Sequence, residues 1–223
     1  MEHAFWRQRW AEGRLGFHQA KINSRLRKLW DALEPPRGAK VFVPLCGKSL
    51  DMLWLASRGH RVIGNELSEI ACRDFFAENK LQCERSAGAR FERFAGGNIE
   101  IWRGDFFDLR AEDLRDAPLC YDRAALIALP EKMRAGYAAK LAELSPPGAR
   151  VLLIGMDYDP RKMKGPPFPV PEEEVNELFA EFFSVEILSR SSGPDIVGNL
   201  AARGLDTLDE TVYLLRRFNS AKN

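Results

Sequence analysis

Apolar positions along this chain keep two rhythms that alternate from one end to the other. Ile22, Leu26, Leu29, Trp30 and Leu33 recur at helical spacing. Pro35-Pro36 stops that helix, because proline lacks a donor and disfavours helix before it. The run Lys40 to Pro44 reads as a first strand. A helix follows from about Ser49 to Arg58, with Gly59 as its stop. Its Leu50, Leu53 and Trp54 face one way, and Met52 and Leu55 widen the apolar surface. Arg61 to Glu66 reads as a second strand, and Ser68 as the N-cap of a helix carrying Phe75 and Phe76. Asn98 to Trp102, Leu119 to Asp122 and Arg150 to Gly155 are further strands. Between the last two, a helix sets Met133, Tyr137, Leu141 and Leu144 on one face. Val175, Leu178, Phe179 and Phe182 mark another helix. Val185 to Leu188 and Thr211 to Leu215 are closing strands expected to pair. Ahead of all these, Phe5 to Gly13 carries Phe5, Trp6 and Trp10 on one helical face.

Strands alternating with helices predict a mainly parallel sheet covered on both faces. Ligands of such sheets bind beyond the carboxyl ends of the strands. The 223 residues suit a single α/β domain spanning 1–223, with 1–34 as an N-terminal helical lid. Charge changes the picture chiefly by exclusion. With 33 Lys+Arg against 32 Asp+Glu, the net charge of +1 argues against a nucleic-acid partner. No apolar run reaches the ~20 residues of a membrane span. The four cysteines form no C-x-x-C pair and no secretory h-region precedes them, which predicts a cytoplasmic protein. His3, His18 and His60 lack metal-helix spacing, so no metal is expected. No exposed seam is evident, and the expectation is a monomer acting on a small molecule.

Each strand end is a candidate for chemistry. After the first stands Pro44-Leu45-Cys46-Gly47-Lys48-Ser49. A P-loop needs glycine five positions before Gly47, where Phe42 stands. A dinucleotide fingerprint fails as well, since Gly47 is alone. What remains is a tight turn whose amides either hold a ligand carboxylate or merely turn the chain. Cys46, between apolar neighbours, reads as a packed turn residue. Glu66 ends the second strand 19 positions after Gly47. A carboxylate at about that distance accepts both ribose hydroxyls of an adenosyl ligand; the alternative is that Glu66 only favours a helix dipole. Asp105-Phe106 follows another strand. It suits an adenine, with Asp105 accepting from the exocyclic amine and Phe106 covering a ring face, or else a plain turn. Asp122-Arg123 reads either as a mutual salt bridge or as an arginine pointing into the cleft toward an anion.

The run Phe42-Val43-Pro44-Leu45-Cys46-Gly47-Lys48-Ser49-Leu50-Asp51-Met52 resembles the signature of thiopurine S-methyltransferases. So do Trp6 with Trp10-x6-Phe17-His18, Gly59-His60-x-Val62-Ile63-Gly64-x-Glu66, Asp122-Arg123-x-Ala125-Leu126, and Gly165-Pro166-Pro167-Phe168. Asn65 departs from the pattern, where an apolar residue is usual, and residues 190–208 match poorly. The resemblance implies a Rossmann-like class I methyltransferase: a seven-stranded sheet with an antiparallel strand near one edge. It implies S-adenosylmethionine as methyl donor, held by Trp10, Leu45, Glu66 and Arg123, with Asp105 and Phe106 at the adenine end. Phe17 falls where the family contacts substrate. Phe168, on a proline-stiffened rim, is expected either to stack on a planar acceptor or to be part of a rigid connector. Arg123 is also expected to favour the thiolate form of a thiopurine or similar aromatic thiol. Rival readings on the same scaffold are methylation of thiocyanate, halide or selenium and tellurium species, and an adenosyl-binding protein without turnover.

Overall fold

The computed structural model describes residues 3–13 and 19–219. Its strands are β1 (Lys40–Val43), β2 (Arg61–Glu66), β3 (Glu84–Ala87), β4 (Glu92–Gly96), β5 (Ile99–Arg103), β6 (Leu119–Arg123), β7 (Arg150–Asp157), β8 (Phe183–Gly193) and β9 (Leu208–Arg217). They form one sheet in the order β3-β4-β5-β2-β1-β6-β7-β9-β8. The five central strands, β5-β2-β1-β6-β7, are parallel. Both margins are antiparallel. The helices are α1 (His3–Ala11), α2 (Ser24–Leu29), α3 (Asp51–Ser57), α4 (Glu69–Glu78), α5 (Ala111–Leu114), α6 (Glu131–Leu144) and α7 (Glu172–Phe179). The order reverses at β1, where the chain passes to β2 on one side and later to β6 on the other. Such a switch point opens a crevice at the strand ends.

Alternation along β1 shows how the sheet divides the core. Val41 and Val43 point to the layer holding Leu26, Trp30, Leu33 and Met52. Phe42 points to the opposite layer, with Phe106, Tyr137 and Leu141. Both layers are apolar because parallel strands are covered on two faces.

Three sequence expectations change. The sheet has nine strands rather than seven, because β3 and β4 add a hairpin to one margin. Every residue of β3 is exposed, so no apolar alternation betrays it. It is bound through Arg85, which pairs with Glu92 at 2.6 Å and Glu69 at 2.9 Å and lies over the Phe94 ring. In α3 the buried face is Asp51, Met52 and Leu55, whereas Leu50, Leu53 and Trp54 are only half-buried. A buried polar anchor at Asp51 rotates the helix away from its most apolar stripe. Finally, α7 ends at Phe179, and Phe182 stands in the turn beyond it. The paired closing strands are as expected, though both run longer.

Trp30 and Ala39, which flank Pro35-Pro36 and lead into the first strand, are tied together by a buried histidine. The Trp30 indole donates to His60 Nε2 at 3.1 Å, and His60 Nδ1 lies 3.1 Å from the Ala39 carbonyl. Both contacts are satisfied only by the neutral ring with its proton on Nδ1. Burial lowers the His60 pKa from its usual value. A lowered histidine pKa contributes stability that is complete above the unfolded value and is lost as pH falls through the folded one. The urea midpoint should therefore drop more steeply between pH 7.5 and pH 5 in the wild type than in His60→Gln, which cannot titrate. Equal slopes would show that His60 stays unlinked to folding.

Candidate active site

The turn after β1 is built from two residues in the left-handed region, Leu45 (φ 45) and Gly47 (φ 53). Gly47 adopts that conformation freely, but for leucine it costs about 1–3 kcal/mol. A Cβ on Gly47 would sit 3.3 Å from the Trp10 ring, so helix α1 rests directly on the turn. Cys46 is buried against Gly64, where a Cβ would come within 2.7 Å of its sulfur. Burial pushes its thiol well above the ordinary range, which disfavours the thiolate and fits a packing residue.

Glu66 closes this turn from the neighbouring strand. One carboxylate oxygen accepts from the Gly47 amide at 2.9 Å and the other from the Ser68 amide at 2.7 Å. The group is buried, and desolvation raises its pKa despite those two donors. Each oxygen accepts more than one hydrogen bond, so both keep capacity for a ligand hydroxyl. Ser68 caps α4, as its spacing predicts, by accepting from the Ala71 amide.

The next strand end is set by Asn65, the residue that departs from the family pattern. Its Nδ2 donates to the carbonyls of Trp102 and Gly104, both at 3.2 Å, and so fixes the start of the Asp105 turn. Asp105 Oδ1 accepts from the Phe107 amide at 2.9 Å, and its Oδ2 lies 2.7 Å from His3 Nε2 on helix α1. The two rings that follow part company. Phe106 is buried between Phe42 and Tyr137, centroids 6.4 and 5.0 Å away, and reaches the hollow with little exposed surface. Phe107 is 36% exposed and lines the same hollow. Two adjacent aromatics in a sequence do not reveal which one a short 3-10 turn buries and which it leaves exposed.

Asp122 and Arg123 do not form the salt bridge that their adjacency allows. Asp122 is fully buried; it accepts from the Tyr137 hydroxyl at 2.6 Å and from the amides of Ala125 and Leu126. Burial pushes its pKa up to about 6. Arg123 instead pairs with Asp51, Nε to Oδ2 at 2.8 Å, although that N–H is not aimed at the oxygen and makes no hydrogen bond. Its Nη2 donates to Ser49 Oγ at 2.8 Å. Ala124, the next residue, is a second strained position (φ 76).

Two hollows meet at Arg123, Ala124, Ile127 and Pro167. The first, over β1, β2 and β5, is lined by Trp10, Leu45, Glu66, Asp105, Phe106 and Arg123, so these predicted site residues come together. The second lies on the β7 side and includes Met156, Leu200 and Glu210. Phe168 lines neither. Its ring lies where a Cβ on Gly165 would stand, at 2.3 Å, and Pro166 and Pro167 form the rim in its place. Phe17 falls outside the described residues.

The site has the features an adenosyl ligand needs: a hydroxyl-accepting carboxylate, an amide-rich turn, an exposed ring, and strained backbone at adjacent strand ends. Comparison with known proteins agrees. The family model for thiopurine S-methyltransferase (TPMT) matches residues 1–218. A thiopurine S-methyltransferase of Pseudomonas putida is 46% identical over 97% of this chain and 100% of its own length. That of Methylococcus capsulatus is 44% identical over 99% of this chain and 100% of its own. Among solved structures, the fold resembles a Burkholderia thailandensis 1,6-didemethyltoxoflavin-N1-methyltransferase with bound S-adenosylhomocysteine (TM-score 0.66, 17% identity, 97% of this chain and 87% of that one). From the turn at Gly47 to the carboxylate of Glu66 and across the full described fold, the chain belongs to the thiopurine S-methyltransferase family.

Proposed function

We propose that the first hollow holds S-adenosylmethionine with its ribose on Glu66, and that the adjoining hollow presents the sulfur of a thiopurine or similar aromatic thiol. The observation that carries this reading is the buried Glu66 carboxylate, fixed by two backbone amides at the mouth of the turn. S-adenosylmethionine supplies an electrophilic methyl carbon on a sulfonium. The protein's own tasks are to bind, orient and exclude water. Glu66 accepts from the ribose hydroxyls. Asp105 accepts from the adenine amine, in place of its contact with His3, and Phe107 covers a ring face. Trp10 closes the hollow from the lid, which strengthens the charge interactions beneath it. Arg123 stands in the wall shared by both hollows, where its positive charge favours an ionised thiol. Orientation of this kind supplies ~7–11 kcal/mol of barrier lowering. We read the protein as a cytoplasmic monomer acting on small molecules; its free cysteines suit a reducing compartment and its near-neutral charge argues against a nucleic-acid partner.

Glu66→Gln keeps the shape and one acceptor but removes the charge. A hydrogen bond to a charged group contributes about 1.5–3 kcal/mol, so affinity for S-adenosylhomocysteine should fall by roughly 10–100-fold in calorimetry. Unchanged affinity would remove Glu66 from the site. The two phenylalanines separate by a second pair of variants. Phe107→Ala should weaken S-adenosylhomocysteine binding and leave the urea midpoint in place. Phe106→Ala should cost about 3–5 kcal/mol of folding stability, as a buried ring does. If Phe107→Ala binds like the wild type, the exposed ring is not the adenine cover.

A further inference from the structure

Asp51 is a buried carboxylate that the proposed reaction does not use. It opens α3, is 1% exposed, and binds parts of three other segments. Oδ1 accepts from the backbone amide of Asn23 at 2.8 Å. Oδ2 accepts from the Tyr121 hydroxyl at 3.0 Å and forms the ion pair with Arg123 Nε. The Asp51 amide donates to Ser49 Oγ, the same oxygen that receives Arg123 Nη2. The guanidinium is thus held by the ion pair at Nε and by a hydrogen bond at Nη2.

Asn23 is the root of the N-terminal region. It caps α2 by accepting from the amides of Arg25 and Leu26, and with Gln19 it lines the second hollow. Neither Gln19 nor Asn23 lines the first. One carboxylate therefore joins the arginine between the two hollows to the wall of the second. A buried ion pair of this kind is weak support for stability, since an apolar pair of similar volume serves as well. Its value lies in fixing one arrangement.

We propose that Asp51 is a positioning residue that couples the two hollows. Occupation of the donor hollow fixes Arg123, and through Asp51 it fixes Asn23 and the acceptor-side wall. The acceptor then meets a prepared pocket. By linkage, the acceptor strengthens donor binding by the same factor. The inference rests on the donor and acceptor hollows assigned above.

S-adenosylhomocysteine has no methyl group to transfer, so both ligands can be studied at equilibrium. In the wild type, saturating S-adenosylhomocysteine should slow amide exchange in the peptide spanning residues 19–26. It should also raise the affinity for 6-mercaptopurine about fivefold or more, a typical coupling. In Asp51→Asn both responses should disappear, with S-adenosylhomocysteine still bound. Tyr121→Phe, which removes a neutral bond to the same oxygen, should keep both. Should Asp51→Asn not fold, the wild-type measurement still decides. If S-adenosylhomocysteine binds but leaves exchange at 19–26 and 6-mercaptopurine affinity unchanged, the coupling is wrong. Responses that persist in folded Asp51→Asn would overturn the role of Asp51. Failure of the wild type to bind S-adenosylhomocysteine at all would instead sink the assignment of the donor hollow.

Discussion

The Glu66 carboxylate is the contact on which the rest of the site depends. It reaches across from the end of β2 to the turn after β1 and to the start of α4, accepting one amide from each. Two loops at the switch point of the sheet are thereby held at a fixed separation. Burying an ionised carboxylate is unfavourable, and its raised pKa records that cost. The amides offset part of it, and a ribose with two hydroxyls would offset more. On the proposed function, one side chain then serves both structure and binding.

Strain is distributed around the same mouth. Leu45 and Ala124, both in the left-handed region, stand at the ends of neighbouring strands β1 and β6. Each is held by a carboxylate: Glu66 closes the turn after β1, and Asp122 accepts the amides that follow Ala124. Buried acids that fasten strained turns are a coherent arrangement, because hydrogen bonds to charged acceptors outweigh neutral ones. The acids at positions 51, 66 and 122 are all buried, and each accepts from its own set of donors. They divide the rim into separately anchored pieces: the Arg123 wall, the turn after β1, and the turn leading to Ile127.

How much of this was legible in the sequence follows from the kind of signal each part sends. Short continuous apolar runs disclosed the parallel strands, since these are buried on both faces. The hairpin β3-β4 sent no such signal, because β3 is wholly exposed and bound by arginine pairs. Glu66 was legible through its spacing from Gly47, and Arg123 as a charge at the end of an apolar strand. Their partners were not. Asp51 at the start of a helix looks like an ordinary dipole complement, and only the fold brings it to Arg123, Tyr121 and Asn23. The pairing of Asp122 with Tyr137 rather than Arg123 likewise depends on helix α6 crossing behind β6. Phe106 and Phe107 differ only in which way a 3-10 turn sends them, which composition does not encode.

The central claim is that Glu66 holds the turn and the donor's sugar at the same time. A crystal structure with S-adenosylhomocysteine tests it most directly. The account predicts both ribose hydroxyls within hydrogen-bonding distance of the Glu66 oxygens while the Gly47 and Ser68 amides remain bound. A ligand seated elsewhere, or a Glu66 side chain turned from the sugar with its amide bonds intact, would contradict it.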